Sequence, residues 1–283
     1  MPTYTDDFGV SITYFTWLVD RPRGVVQLVH GVGEHAQRYA LIATRLNEAG
    51  YTVYADDHRG HGQTGVTQYG GDLSRLGRLG LGGMRAAVAG VRQLSGIIRT
   101  DHAGLPLVLL GHSWGSFMAQ MIVNAHATDY DAVVLSGTAY RMPGYLDGGD
   151  LNRRHKHLGD TGVEWLSRDP EVARAFVEDP LTTSTPLAKL FGVREAARLF
   201  GRPSRDLPPS LPLLILVGGD DIVGGERSAR MLARAYSRRS GLRDIRVIVY
   251  PGARHEVFNE TNREDVFDDL IRWLRKRIPV RAD

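Results

Sequence analysis

Short apolar runs recur along the chain, each followed by a polar or glycine-rich turn and then by a longer stretch with apolar residues at helical spacing. Val25 to Val29, Tyr51 to Asp56, Pro106 to Leu110, Asp131 to Ser136, Leu211 to Val217 and Ile245 to Val249 are such runs. Runs this short and this continuous suit strands buried on both faces. Between them, Tyr39 to Asn47, Gly83 to Arg99 and Trp114 to His126 carry helical periodicity, and a last helix follows His255. Val10 to Trp17 reads as a further strand before the turn Asp20-Arg21-Pro22-Arg23-Gly24, which predicts an antiparallel start. The alternation predicts an α/β fold: a mostly parallel central sheet flanked by helices.

From about Tyr140 to Asp206 the alternation fails over a stretch far longer than one crossover helix needs. Leu146, Trp165, Leu166, Phe176, Val177, Leu187, Leu190, Phe191, Leu199 and Phe200 are interspersed there with charge, as in amphipathic helices lying over a pocket. The expected organisation is therefore a core of residues 1–139 and 207–283 with a helical cap insertion at 140–206.

Three loops at the ends of predicted strands carry the chemistry. Gly111-His112-Ser113-Trp114-Gly115 follows one strand directly and opens a helix, the context of a nucleophile elbow in which the serine oxygen projects from a strained turn. Ser113 is the candidate nucleophile; Ser116 and Ser136 lack that context. A serine needs a base and an acid that orients the base. Asp221, in Gly218-Gly219-Asp220-Asp221-Ile222-Val223, and His255, before the final helix, supply them in the chain order serine, acid, histidine. The adjacent Asp220 competes with Asp221 on spacing alone. His30-Gly31-Val32-Gly33 after another strand adds a second backbone donor, so the N–H groups of Val32 and Trp114 are the expected oxyanion hole. An elbow with serine disfavours dehalogenase chemistry, which needs a carboxylate there.

With Val29 to His35, Arg38, Tyr39, Asp57-His58-Arg59-Gly60-His61-Gly62-Gln63, the elbow, the Asp221 loop and His255 in place, the chain resembles the α/β-hydrolases of the monoacylglycerol lipase and lysophospholipase group over nearly its whole length. The resemblance implies a cofactor-independent serine esterase for a monoacylglycerol or similar single-acyl lipid, with a lysophospholipase or short-chain carboxylesterase as neighbouring activities. It also favours Asp221 over Asp220, because the family acid precedes a short apolar pair, here Ile222-Val223. Two positions depart from the family pattern around the nucleophile: Trp114 where methionine is common, and Ser116 where glycine is. Thr64 replaces an expected serine. An acyl-binding protein without turnover is the contrasting reading on the same fold, and the complete triad argues against it.

Composition narrows the picture. The 283 residues, 42% hydrophobic and 24% charged, suit a single soluble α/β domain. The formal charge of +3 arises from 35 basic against 32 acidic residues, with no basic stripe for nucleic acid. Arg153-Arg154-His155-Lys156-His157 and Arg275-Lys276-Arg277 read as solvated faces. There is no cysteine, which excludes disulfides, thiolate metal sites and a cysteine nucleophile. His58 and His61 are expected to hold their loop by hydrogen bonds, and no metal or cofactor is expected. His35, with Glu34 and Arg38, is expected to brace the oxyanion loop, and His112 to be a variable elbow position. Neither a signal-like N-terminus nor a membrane-length apolar run is present, so the default location is cytoplasmic, with transient membrane contact through the cap. Oligomeric state stays open.

Overall fold

A computed structural model describes residues 1–278. The chain begins with β1 (Thr3–Thr5), β2 (Ser11–Trp17) and β3 (Gly24–Val29), then α1 (Ala40–Glu48), β4 (Tyr51–Asp56), α2 (Gly62–Gln68) and α3 (Gly83–Asp101). It continues with β5 (Leu107–His112), α4 (Trp114–His126) and β6 (Ala132–Ser136). After the insertion come β7 (Leu213–Gly218), α8 (Gly225–Ser240), β8 (Ile245–Tyr250) and α9 (Arg263–Arg277). The strands form one sheet in the order β1-β2-β4-β3-β5-β6-β7-β8. From β4 to β8 every pairing is parallel. The antiparallel start is present, but β2 pairs with β4 rather than with β3, Tyr14 lying opposite Asp56.

The apolar strands are continuous because both sheet faces are covered, and alternate side chains enter different cores. Val25, Leu107, Leu109, Val133, Leu213 and Ile215 pack with α3, α4 and α8. Val26, Leu28, Val108, Leu110, Val134 and Leu214 pack with α1 and α9 on the other face. Each such side chain removed from water contributes about 1.5–3 kcal/mol. No described helix is long and apolar enough to cross a membrane.

Residues 137–212 leave the sheet between β6 and β7 and hold three helices, α5 (Pro170–Glu178), α6 (Leu187–Phe191) and α7 (Val193–Ala197). Only α5 exceeds five residues, started by Pro170 and by Asp169, whose side chain accepts from the N–H of Glu171. Amphipathic helices thus occupy less of the insertion than its apolar residues suggest. Residues 141–168 are turns and bends without regular helix. The physical reason lies in their composition: Pro143, Gly144, Gly148, Gly149, Gly159 and Gly162 break helical continuity. Val163, Leu166, Ala173 and Phe176 nevertheless form a small core within it.

Candidate active site

The sheet delivers its chemistry at the carboxyl ends of β3, β5, β7 and β8, where a doubly covered sheet leaves its loops free to converge. At the end of β5, Ser113 adopts φ 52° and ψ −124°, one of two non-glycine residues with positive φ among those described. Such strain, of order 1–3 kcal/mol, persists only where surrounding packing imposes it. The flanking glycines show how. A Cβ on Gly115 would lie 2.1 Å from the carbonyl oxygen of Val29, and one on Gly111 would lie 2.6 Å from that of Gly115. The start of α4 therefore presses directly on β3 and β5, and the serine side chain is left at the apex.

His255 is buried after β8, and its Nδ1 lies 3.0 Å from Asp221 Oδ1. A carboxylate only accepts, so Nδ1 carries the proton and Nε2 keeps its lone pair. That Nε2 has no hydrogen-bond partner among the described residues. Asp221 Oδ1 also accepts the N–H of Val223 at 2.9 Å, which fixes the carboxylate, whereas Asp220 is exposed and, among the described residues, makes no hydrogen bond to His255. Burial alone would lower the His255 pKa, but the charge and hydrogen bond of Asp221 raise it above the ordinary 6.5.

Ser113, Trp114, Val32, His112 and His255 border one cavity of about 340 Å³ beneath the insertion. Among the described residues, neither the Val32 nor the Trp114 N–H meets an acceptor within the chain. The loop bearing Val32 is fastened by Glu34, whose Oε1 accepts the N–H of Gly31 at 2.6 Å and the Tyr39 hydroxyl at 2.7 Å. Arg38 then bridges Glu34 (2.6 Å) and, through two nitrogens, Glu256 (2.7 and 2.9 Å), the residue after His255. Burial would lower the pKa of Arg38, but the two carboxylates raise it further. The loop bearing Val32 and the histidine loop are thus joined through one guanidinium.

Several side chains take roles that differ from the sequence expectation. His35 does not join the Glu34–Arg38 brace; its Nε2 meets Asp179 of the insertion at 2.8 Å. His112 is more than a variable position. Its ring centroid lies 4.8 Å from that of His255, its Nδ1 reaches Ser136 Oγ at 3.2 Å, and burial followed by the nearby His255 holds its pKa well below 6.5. A neutral imidazole therefore backs His255. His58 and His61 do hold their loop, through Asp56 Oδ2 (3.0 Å) and the Arg59 carbonyl (2.9 Å). Glu256, Asp179 and Trp165, whose indole lies 4.9 Å from the His255 ring, are site residues that no sequence motif marked.

A strained serine after a parallel strand, a carboxylate-bound histidine three strands away and an insertion over the cavity define the α/β-hydrolase class. A family model described as "Serine aminopeptidase, S33" matches residues 20–262, and the chain belongs to that family. It is 36% identical over 280 residues to a monoacylglycerol lipase of Mycolicibacterium smegmatis, covering 94% of this chain and 93% of that one. Human monoglyceride lipase is 27% identical, with 90% of this chain and 84% of the human protein covered. Among solved structures, a thermostable carboxyl esterase from Bacillus coagulans superposes with a TM-score of 0.86 at 26% identity, covering 98% of each chain.

Proposed function

We propose that this protein hydrolyses carboxylic esters, with monoacylglycerols or similar single-acyl lipids as its substrates, through an acyl-enzyme on Ser113. His255 Nε2 takes the serine proton as Oγ attacks the ester carbonyl, and the Val32 and Trp114 N–H groups receive the oxyanion. His255 then returns the proton to the departing alcohol, and water, activated by the same imidazole, releases the acid. Asp221 fixes the tautomer that makes both transfers possible. No step draws on a cofactor.

The observation that carries this reading is the cavity itself: Ser113 and His255 share it with Trp114, Phe117, Leu187 and Leu199, an apolar wall suited to a hydrocarbon. The lipase names of relatives matched along 94% and 90% of the chain support an ester over a peptide. Residues 140–206 act as the cap in this reading. Exposed Leu158, Val177, Val193 and Phe200 all lie on it, which supports transient contact with a lipid surface in a cytoplasmic enzyme. A phosphorylated headgroup is less suited, because Arg153 already pairs with Asp147 at 2.5 Å.

The test compares kcat/KM for monoacylglycerols and lysophospholipids of equal chain length, with Ser113→Ala as control. Monoacylglycerols should be preferred, and the alanine variant should lose about 10³-fold or more in kcat. Turnover retained in Ser113→Ala would refute the nucleophile, and a preference for lysophospholipid would refute the substrate.

A further inference from the structure

Trp114 occupies an unusual place for a residue that follows a nucleophile. Its indole is among the largest fully buried side chains, at 0% exposure, yet it borders the cavity. Behind it lies a second layer that does not reach the cavity. The Phe191 ring of α6 is 5.1 Å away, His61 stacks at 5.2 Å, His58 meets it edge-on at 5.5 Å, and the indole Nε1 donates to Met84 Sδ at 3.3 Å. The indole is therefore a partition between the cavity and this layer, to which the insertion contributes Phe191 and the core contributes His58, His61 and Met84.

We infer that Trp114, held in place by Phe191, is the acyl-length stop of the enzyme and confines it to short and medium chains. This rests on the acyl-ester reading above and adds a limit to it. The cavity of about 340 Å³ lies near the lower end of ligand pockets, ~300 Å³. With a methylene taken as roughly the ~30 Å³ of a water, it holds about eleven such groups, some of them claimed by the alcohol portion. A long acyl chain cannot extend past Ser113 on the α4 side without displacing an indole packed on the sides turned away from the cavity. Truncation of that indole would open space on the order of 100 Å³, enough for about two to four further methylenes.

The experiment measures kcat/KM for p-nitrophenyl esters from butyrate to palmitate with the wild type, Trp114→Ala, Trp114→Met and Phe191→Ala. In the wild type each added methylene should raise kcat/KM about fourfold until the cavity is full. The rise should stop at or before decanoate. In Trp114→Ala the stopping point should move outward by about two to four carbons, with Trp114→Met intermediate. Phe191→Ala, which alters neither the nucleophile nor its backbone donors, should move it in the same direction. The readout is the palmitate-to-butyrate ratio within each variant, so partial misfolding of one variant does not disguise the result. An identical stopping point in all four proteins, or a wild type that cleaves palmitate as well as decanoate, would overturn the length stop. A wild type that cleaves no ester at any length would instead overturn the acyl-ester reading and the stop with it.

Discussion

Replacing Arg38 by methionine should destabilise the protein far more than removal of any surface charge. The Arg38 side chain is 11% exposed and those of its two partners, Glu34 and Glu256, 4% each. Methionine keeps the apolar stem but leaves two carboxylates buried without a cation. Breaking a buried pair from one side costs about 3–5 kcal/mol. At about 2 °C per kcal/mol for a chain of this size, Tm should fall by about 6–10 °C. The deficit should also depend on pH. In the wild type, burial raises the Glu256 pKa, but the Arg38 charge and hydrogen bond bring it below 4.5; burial keeps Glu34 above 4.5 despite Arg38. Without the guanidinium both carboxyls lie above their unfolded values. A raised pKa gives stability that is full below the unfolded value and lost as pH rises through the folded one, so the deficit should shrink as pH falls from neutral toward 5. Adding Glu256→Gln to the methionine variant should restore part of the loss. Thermal unfolding followed by circular dichroism across pH reads all three effects. A deficit below about 1 kcal/mol, or one that does not shrink on acidification, would refute the reasoning, because the charges would then not be buried as a unit.

Asp221→Asn should lower kcat by about 10⁴-fold, because an amide favours the wrong imidazole tautomer, whereas Asp220→Asn should change it by less than about twofold; equal effects in steady-state assays would place the acid elsewhere. In the wild type, kcat/KM should rise with pH through a midpoint above 6.5, since the raised pKa of His255 must be passed before Nε2 can accept a proton, and Asp221→Asn should move that midpoint down. The stability that Asp221 lends protonated His255 has the opposite slope: it is complete below 6.5 and lost as pH rises through the folded pKa. Replacing Arg153, Arg154 and Lys156 together by alanine should leave kcat/KM for monoacylglycerols within about twofold, because those charges face solvent or Asp147; a larger loss confined to lysophospholipids would mark the patch as a headgroup site.

The parallel strands were legible because burial on both faces writes itself into continuous apolar runs, and α4 because a strained turn fixes where a helix must start. Pairing was less legible. The three-residue β1 is too short to carry a pattern, and the union of β2 with β4 is decided by the tertiary position of β3, which no local signal reports. Within the site, each triad candidate stood in a motif after a strand. The residues that support them did not: Glu256 meets Arg38 across 218 positions and Asp179 meets His35 across 144. Contacts at such separations leave no spacing to read, and Asp179 sits in an insertion whose glycine-rich turns obscure its periodicity.

The insertion is tied by backbone to both of the loops it covers. Thr183 donates its N–H to Gly33 at 2.8 Å, so close that a Cβ on Gly33 would lie 2.2 Å from the Thr183 oxygen, while Glu256 donates to Leu166 at 2.7 Å. Arg254 reaches the carbonyls of Glu164 and Ser167 from the same histidine loop. Exchange of this region with that of a relative therefore has hidden seams. A chimera cut at the ends of the neighbouring strands would import foreign partners for Gly33 and Glu256 and so disturb the two loops it meant to preserve. Cuts that keep residues 163–168 and 179–183 native, and exchange only the segment from α6 through α7, would leave those ties intact and change Leu187 and Ala188 of the cavity wall together with Phe191 behind Trp114.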